Sequence, residues 1–234
     1  MSNRYGPRIV TDGLVLCLDA ADNNSYPGTG TTWTDLSGNG NNGTLTNGPT
    51  FSSSNRGSIL FDGVNDYIDH GTSPASSIRG GTQFTIGFWT KKIASNKDTL
   101  AGAWYHSTRN GFYLQWYTDN IIYFGNASGG LDYNTSSLIW TNNWYYLVGV
   151  FDGSQATNST KGKIYVNGSL VSLSSANLTT TTVSTYAANF YIGALEGYSS
   201  YANSYIANTF LYNRALSASE VLQNYNATKG RFNL

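Results

Sequence analysis

The sequence is poor in charge, cysteine, histidine and glutamate, and each shortage closes a route to function. Only 11% of residues are charged, and 13 Lys+Arg balance 13 Asp+Glu. A neutral chain lacks the phosphate-neutralising cations that nucleic-acid binding depends on. It also lacks the Lys/Arg run that holds a protein to an anionic membrane. Cys17 is the only cysteine, so an intrachain disulfide cannot form. It stands in the apolar run Leu14–Leu18, where a thiol reads as a small buried hydrophobe. The two histidines, His70 and His106, fall outside metal-ligand spacings such as His-Glu-x-x-His. No apolar run approaches the ~20 residues of a membrane span. Met1–Val10 carries Arg4 and Arg8 but no apolar h-region, so no signal peptide is expected. No Gly-x-Ser-x-Gly elbow and no Gly-x-x-x-x-Gly-Lys-Ser/Thr phosphate loop occurs.

What is present is aromatic and strand-forming. Aromatics make up 15% of the chain, including 18 tyrosines. Ile59-Leu60-Phe61 and Tyr67-Ile68 flank the polar turn Asp62–Asp66, a pattern that predicts a β-hairpin over Ser58–Asp69. Gly63 supplies positive φ there, and Asp62 and Asp66 can bind turn N–H groups. Leu14–Leu18 predicts a strand covered on both faces. Residues 19–50 read as a long loop pinned by Trp33 and Leu36. Phe84, Ile86 and Phe88 share one face of an alternating strand, with Trp89 on the other. Leu100–Tyr105, Gly111–Tyr117 and Ile121–Gly125 read as short strands. Trp144–Phe151 is apolar on both faces and predicts a central strand. Asn167-Gly168 between alternating runs is the type I′ hairpin signal. Asn189–Leu195 and Ile206–Tyr212 complete the strand set. One helix is expected near the end, with Ser217 as N-cap and Glu220 closing a capping box; it is placed over an open end of the sheets. Strands spaced this evenly without helices between them argue a sandwich or barrel. Residues 1–12 read as an N-terminal arm and 13–234 as one all-β domain.

Four segments carry a family resemblance: Gly13–Ala20, Trp33–Gly43, Leu60–Ile68, and Phe210–Ser217 with Glu220-Val221 behind it. With Lys163–Val171 they span nearly the whole chain, which resembles the laminin-G-like, concanavalin A-like jelly-roll domains. The resemblance implies two curved antiparallel sheets, with the first and last strands adjacent. The opening Pro7–Leu16 is similar to stand-alone members encoded among tailed-phage structural genes, which implies a virion component made in the host cytoplasm. Relatives often carry an acidic residue just before the Leu211-Tyr-Asn-Arg214 run, where this chain has Asn208. Some relatives hold a structural calcium ion. Asp62, Asp66 and Asp69 offer carboxylates for one and are equally explained as turn residues, and six to eight oxygens cannot be assembled from the sequence.

Catalysis is not expected. Glycosidases of this fold use two carboxylates on one strand, as Glu-x-Asp-x-Glu, a retaining pair lying ~5–5.5 Å apart. The only glutamates, Glu196 and Glu220, are too far apart for that motif, and Glu220 is already assigned to the helix cap. The better lead is two aromatic clusters in expected loops: Trp104, Tyr105, His106 and Arg109, then Tyr198, Tyr201 and Tyr205. Such rings suit a sugar face or a protein interface. The first reading is therefore a non-catalytic structural or decoration module on a phage head or tail. Its partners would be other virion proteins or copies of itself, with the arm adding to a neighbour's sheet edge. A carbohydrate-binding lectin module is the alternative and can coexist with it. A glycoside hydrolase or lyase is the third.

Overall fold

The computed structural model describes residues 8–93, 98–105, 108, 110–117, 121–126, 129–134, 142–196 and 201–234. Its strands in chain order are β1 (Leu14–Asp19), β2 (Thr32–Trp33), β3 (Gly43–Thr46), β4 (Thr50–Ser52), β5 (Ser58–Asp62), β6 (Tyr67–Asp69), β7 (Gln83–Lys92), β8 (Asp98–Tyr105) and β9 (Asn110–Tyr117). The second half supplies β10 (Ile121–Asn126), β11 (Gly129–Asn134), β12 (Trp144–Asp152), β13 (Gly162–Val166), β14 (Ser169–Leu170), β15 (Ser175–Ala176), β16 (Tyr191–Ile192) and β17 (Asn203–Tyr212). Helical segments are α1 (Ser73–Ser76), α2 (Asn158–Lys161) and α3 (Ala218–Thr228). Eight strands form one sheet, in the order β14-β13-β12-β7-β17-β5-β4 with β1 added beside β17. Nine form the other, in the order β15-β11-β10-β9-β8-β16-β6-β3-β2. The protein is thus the expected two-sheet antiparallel sandwich, and its first and last strands pair, Leu16 against Leu211 and Leu18 against Thr209.

Side-chain alternation explains the layers. On β7, Phe84, Ile86 and Phe88 enter the core between the sheets, while Trp89 points the other way. Neighbouring β12 does the same, with Leu147 and Phe151 inward and Tyr146, Val148 and Val150 outward. A strand this apolar on both faces must be covered twice. The second cover is α3 and the chain's C-terminal segment. Trp89 stacks on Phe232 with ring centroids 4.2 Å apart, and its Nε1–H donates to Thr228 Oγ1 at 2.7 Å. Helix α3 therefore lies on the outer face of the eight-stranded sheet rather than over an open end.

The capping box forms as expected. Ser217 Oγ accepts the Glu220 N–H, and Glu220 Oε2 accepts the Ser217 N–H at 2.8 Å. Ser217→Ala should cost about 1 kcal/mol, read as a lower denaturant midpoint with an unchanged slope. The Asn167-Gly168 turn also forms, with φ of 50° and 79°, between β13 and β14.

Several expectations are corrected. Ser58–Asp69 is not a hairpin: β5 belongs to the eight-stranded sheet and β6 to the nine-stranded one. Ile59, Phe61 and Ile68 fill the same core from opposite layers, so each strand pairs within its own sheet. The turn chemistry itself is as read, with Gly63 at φ 81°, Val64 N–H donating to Asp62 Oδ1 and Asp62 N–H to Asp66 Oδ2. Residues 19–50 are not all loop, since β2 and β3 form there and β4 begins at Thr50. Trp33 is a pin, fully buried, but Leu36 is 38% exposed. Buried Asp35 takes its place, its carboxylate accepting N–H groups of Cys17, Ser37 and Asn41. Within Asn189–Leu195 only Tyr191–Ile192 is strand. The arm is tied down over its described residues 8–12. Val10 N–H donates to Asn224 Oδ1 at 2.8 Å, its carbonyl accepts Tyr212 OH, and Asp12 pairs with Arg214. That stretch docks on its own domain; residues 1–7 lie outside the described residues.

Candidate functional site

The nine-stranded sheet buries one face and presents the other. Ala101, Ala103, Phe112, Leu114, Ile122, Phe124, Ile192 and Ile68 all enter the core. Period-two alternation then sends Trp104, Tyr113, Tyr123, Tyr191 and Tyr67 to the outer face. Each of these five rings is half-buried.

Strand register sets the pattern. Asp69, Tyr191, Gly102, Tyr113 and Gly125 stand opposite one another on β6, β16, β8, β9 and β10. Tyrosines thus alternate with glycines across the strands. The glycines are needed for this. A Cβ on Gly125 would lie 2.5 Å from Tyr113 Cε1, and one on Gly102 would lie 2.6 Å from Tyr113 Cβ. The Tyr113 ring therefore leans along the sheet over Gly125. Trp104 meets it edge-on, with centroids 4.9 Å apart at 68°. Floor and wall make an apolar corner. Tyr191, two strand spacings or about 10 Å away, meets Tyr67 edge-on at 5.1 Å.

A polar group closes the Tyr191 end. The Asn189 N–H donates to Glu196 Oε2 at 2.9 Å, and its Nδ2 reaches both Asp69 Oδ1 and Tyr191 OH at 3.4 Å. Asp69 Oδ1 also accepts the Gly71 N–H at 2.7 Å. Burial, then the nearby Asp69, raise the Tyr191 hydroxyl above its ordinary value, so Tyr191 is a neutral donor and acceptor at physiological pH.

The residues expected from sequence are distributed over both layers. Trp104 is in the aromatic corner. Tyr105, next on the same strand, turns inward and stacks on Tyr186 at 5.4 Å. Tyr205 lies on β17 in the opposite sheet, beside Trp144 and 4.7 Å below Lys91 Nζ. These three are strand residues, not loop residues. Tyr201 is half-buried just before β17. His106, Arg109 and Tyr198 lie outside the described residues. Tyr113, Tyr123, Tyr191 and Tyr67 were not singled out from sequence, because facing is known only once strands are paired. The signal was present in Gly111–Tyr117, where Phe112, Leu114 and Trp116 alternate with Tyr113.

The remaining candidates are structural. Asp62 and Asp66 serve the turn after β5, while Asp69 sits on the outer face of the other sheet. Among the described residues no group of three or more His, Cys, Asp or Glu side chains gathers for a metal. Burial, with Asp19 beside it, pushes the Cys17 thiol up to about 12, so it stays protonated. An open depression of about 760 Å³ beside the C-terminal segment is lined by Asp19, Asp22, Arg56 and Arg231, but its Asp19 is already paired with Arg231 at 2.6 Å.

Comparison with known proteins agrees with this architecture. Residues 61–222 match the Laminin_G_3 family model, described as concanavalin A-like lectin/glucanases superfamily. Among solved structures, Trypanosoma rangeli sialidase superposes with a TM-score of 0.65 at 18% identity, over 94% of this chain and 33% of that one. The receptor binding domain of botulinum neurotoxin C/D mosaic serotype gives 0.68 at 15% identity, over 92% and 51%. The botulinum neurotoxin serotype G binding domain gives 0.65 at 17%, over 91% and 50%. The chain therefore spans only part of each of these proteins, and the likeness is one of fold. No curated protein matches it. The matched family model and the two-sheet sandwich together establish that the chain belongs to the concanavalin A-like lectin/glucanase superfamily.

Proposed function

We propose that the chain is a non-catalytic carbohydrate-binding module whose contact surface is the outer face of the nine-stranded sheet. The observation that carries this is the Trp104–Tyr113 corner, laid open by Gly125 and Gly102. A ring lying along the sheet offers its apolar face to the C–H face of a pyranose, and a second ring at right angles sets the sugar's orientation. The Asn189, Tyr191 and carboxylate group beside it supplies directional hydrogen bonds for hydroxyls. Both glutamates are engaged, which supports the non-catalytic reading. Glu220 is bound by Arg214 at 2.7 Å and by the Ser217 N–H, and Glu196 by the Asn189 N–H.

A glycan array tests this. Tyr113→Ala and Trp104→Ala should each weaken binding about tenfold or more, with melting curves confirming the fold. Binding by wild type that neither substitution weakens would move the contact elsewhere. Release of reducing sugar from a bound glycan would replace the reading with a hydrolase.

A second reading places the module on the exterior of a phage particle, docked on virion proteins. It is supported by the likeness of Pro7–Leu16 to stand-alone tailed-phage structural members. Many copies on one particle would turn weak sugar contacts into firm adhesion. Mass spectrometry of purified virions should then find the chain at a fixed copy number; its absence from them would remove this reading and leave sugar binding untouched.

A further inference from the structure

We infer that the outer face of the nine-stranded sheet selects uncharged glycans and turns away sugars bearing a carboxylate, such as sialic or uronic acids. This rests on the carbohydrate-binding reading and adds the ligand's charge class to it. Asp69 stands directly opposite Tyr191 in the strand register, and Glu196 is held to the same place by the Asn189 backbone. One residue, Asn189, thus gathers two carboxylates around the Tyr191 hydroxyl.

Both carboxylates bear on that hydroxyl electrostatically, each acting to keep it protonated. Among the described residues no Lys or Arg forms an ion pair with Asp69 or Glu196, and Arg79 donates its Nη2 to the Ala188 carbonyl at 2.5 Å. An uncharged sugar seated on Tyr113 and reaching toward Tyr191 meets acceptors for its hydroxyl protons. A third carboxylate arriving there meets two like charges within a partly desolvated surface. At an effective dielectric between water and protein interior, such repulsion amounts to a tenfold or greater loss. The two tyrosines, about 10 Å apart by strand spacing, suit the first and third rings of a linear oligosaccharide. A ligand of that length cannot occupy Tyr113 and Tyr191 together without approaching the carboxylates.

The test is an array of matched pairs, each neutral oligosaccharide printed beside its sialylated or uronic-acid counterpart. The neutral member should bind about tenfold or more tightly in each pair. Raising salt from 0.05 to 0.5 M, roughly a threefold shorter screening length, should narrow the gap in the wild-type protein. Asp69→Asn with Glu196→Gln should narrow the ratio between neutral and acidic members to about twofold, read as a ratio within the double variant because the two carboxylates also accept from neutral ligands. Acidic members that bind as tightly as neutral ones, with no response to salt, would overturn the charge selection alone. Absence of binding to every member would instead bring down the carbohydrate reading beneath it.

Discussion

Arg231→Met should lower stability by about 3–5 kcal/mol, the largest loss expected from a single substitution outside the intersheet core. The guanidinium has a side chain only 8% exposed. Its Nη1 donates to Asp19 Oδ1 at 2.6 Å and to Asn208 Oδ1 at 3.0 Å. Its Nε donates to the Asn55 carbonyl at 3.0 Å, and Nη2 to the Gly57 carbonyl. Asn55 returns the contact, donating Nδ2 to the Arg231 carbonyl and accepting Trp144 Nε1–H at 3.1 Å. Methionine fills the same length but strands a part-buried carboxylate and three acceptors. Cutting one partner from such a network costs more than removing the pair, because the other charge is left unpaired. The midpoint should fall by roughly 10 °C for a domain of this size. Asp19→Asn in the Arg231→Met background should restore part of the loss, so the double variant should be less unstable than the sum of the singles. Simple additivity would mean that the two side chains do not act together.

The same cluster explains the amide at Asn208. Asn208 and Asp19 are cross-strand partners on β17 and β1, and both accept from Arg231. The carboxylate is supplied from the neighbouring strand, so the amide at Asn208 needs only to accept a hydrogen bond.

What the sequence could reveal follows the range of the interactions involved. Local features were legible: the alternation of Phe84–Trp89, the Asn167-Gly168 turn, the Ser217–Glu220 cap and the central strand at Trp144–Phe151. Each is decided within a few residues. The Ser58–Asp69 connection was misread because a turn between two apolar runs looks the same whether the runs pair or part to opposite layers. What separates those outcomes is pairing to β17 and β16, more than a hundred residues away. The aromatic face was hidden for the same reason. Tyr113, Tyr191 and Tyr67 come from three distant segments and become one surface only through strand order. Residue type alone marks Trp104 as a candidate, and it marks the neighbouring Tyr105 equally, although strand geometry turns Tyr105 inward. Apolarity points to Leu36 as a loop pin, but Asp35 pins the loop through hydrogen bonds that composition does not disclose.

Acid should destabilise the protein well before its carboxylates titrate, and His70 is the reason. The imidazole, just past the end of β6 and against the start of β3, is buried and packed edge-on against Phe190 at 5.7 Å. Its Nδ1 lies 2.9 Å from the Asn41 carbonyl. A carbonyl can only accept, so Nδ1 carries the proton and Nε2 is bare. That Nε2 is buried with no hydrogen-bond partner among the described residues. Gly43 is packed against the ring so closely that a Cβ there would sit 2.5 Å from Cε1. A second proton would place an unpaired N–H and a charge in this site. Burial accordingly pushes the His70 pKa down to about 4, despite the Asn41 carbonyl and the carboxylates of Asp69 and Asp35, which act the other way. The unfolded chain, with His70 near 6.5, binds more protons than the folded one between those values. Stability is therefore full above pH ~6.5 and falls by about 1.4 kcal/mol per unit as pH drops toward 4, to a total of about 3 kcal/mol. Glu220, held down to about 2 chiefly by Arg214, begins to lose its contribution only as pH falls past the ordinary glutamate value near 4.5, at the foot of the window, and does so equally in wild type and variant. Denaturation midpoints at steps from pH 7.5 to 4.5 measure the slope. In His70→Asn an amide can replace the Nδ1 donor, and His106 is common to both proteins, so the difference between the two slopes isolates His70. The variant should be less stable at pH 7.5 yet nearly flat down to 4.5, and an equal slope in both proteins would show that His70 is protonated in the fold without penalty.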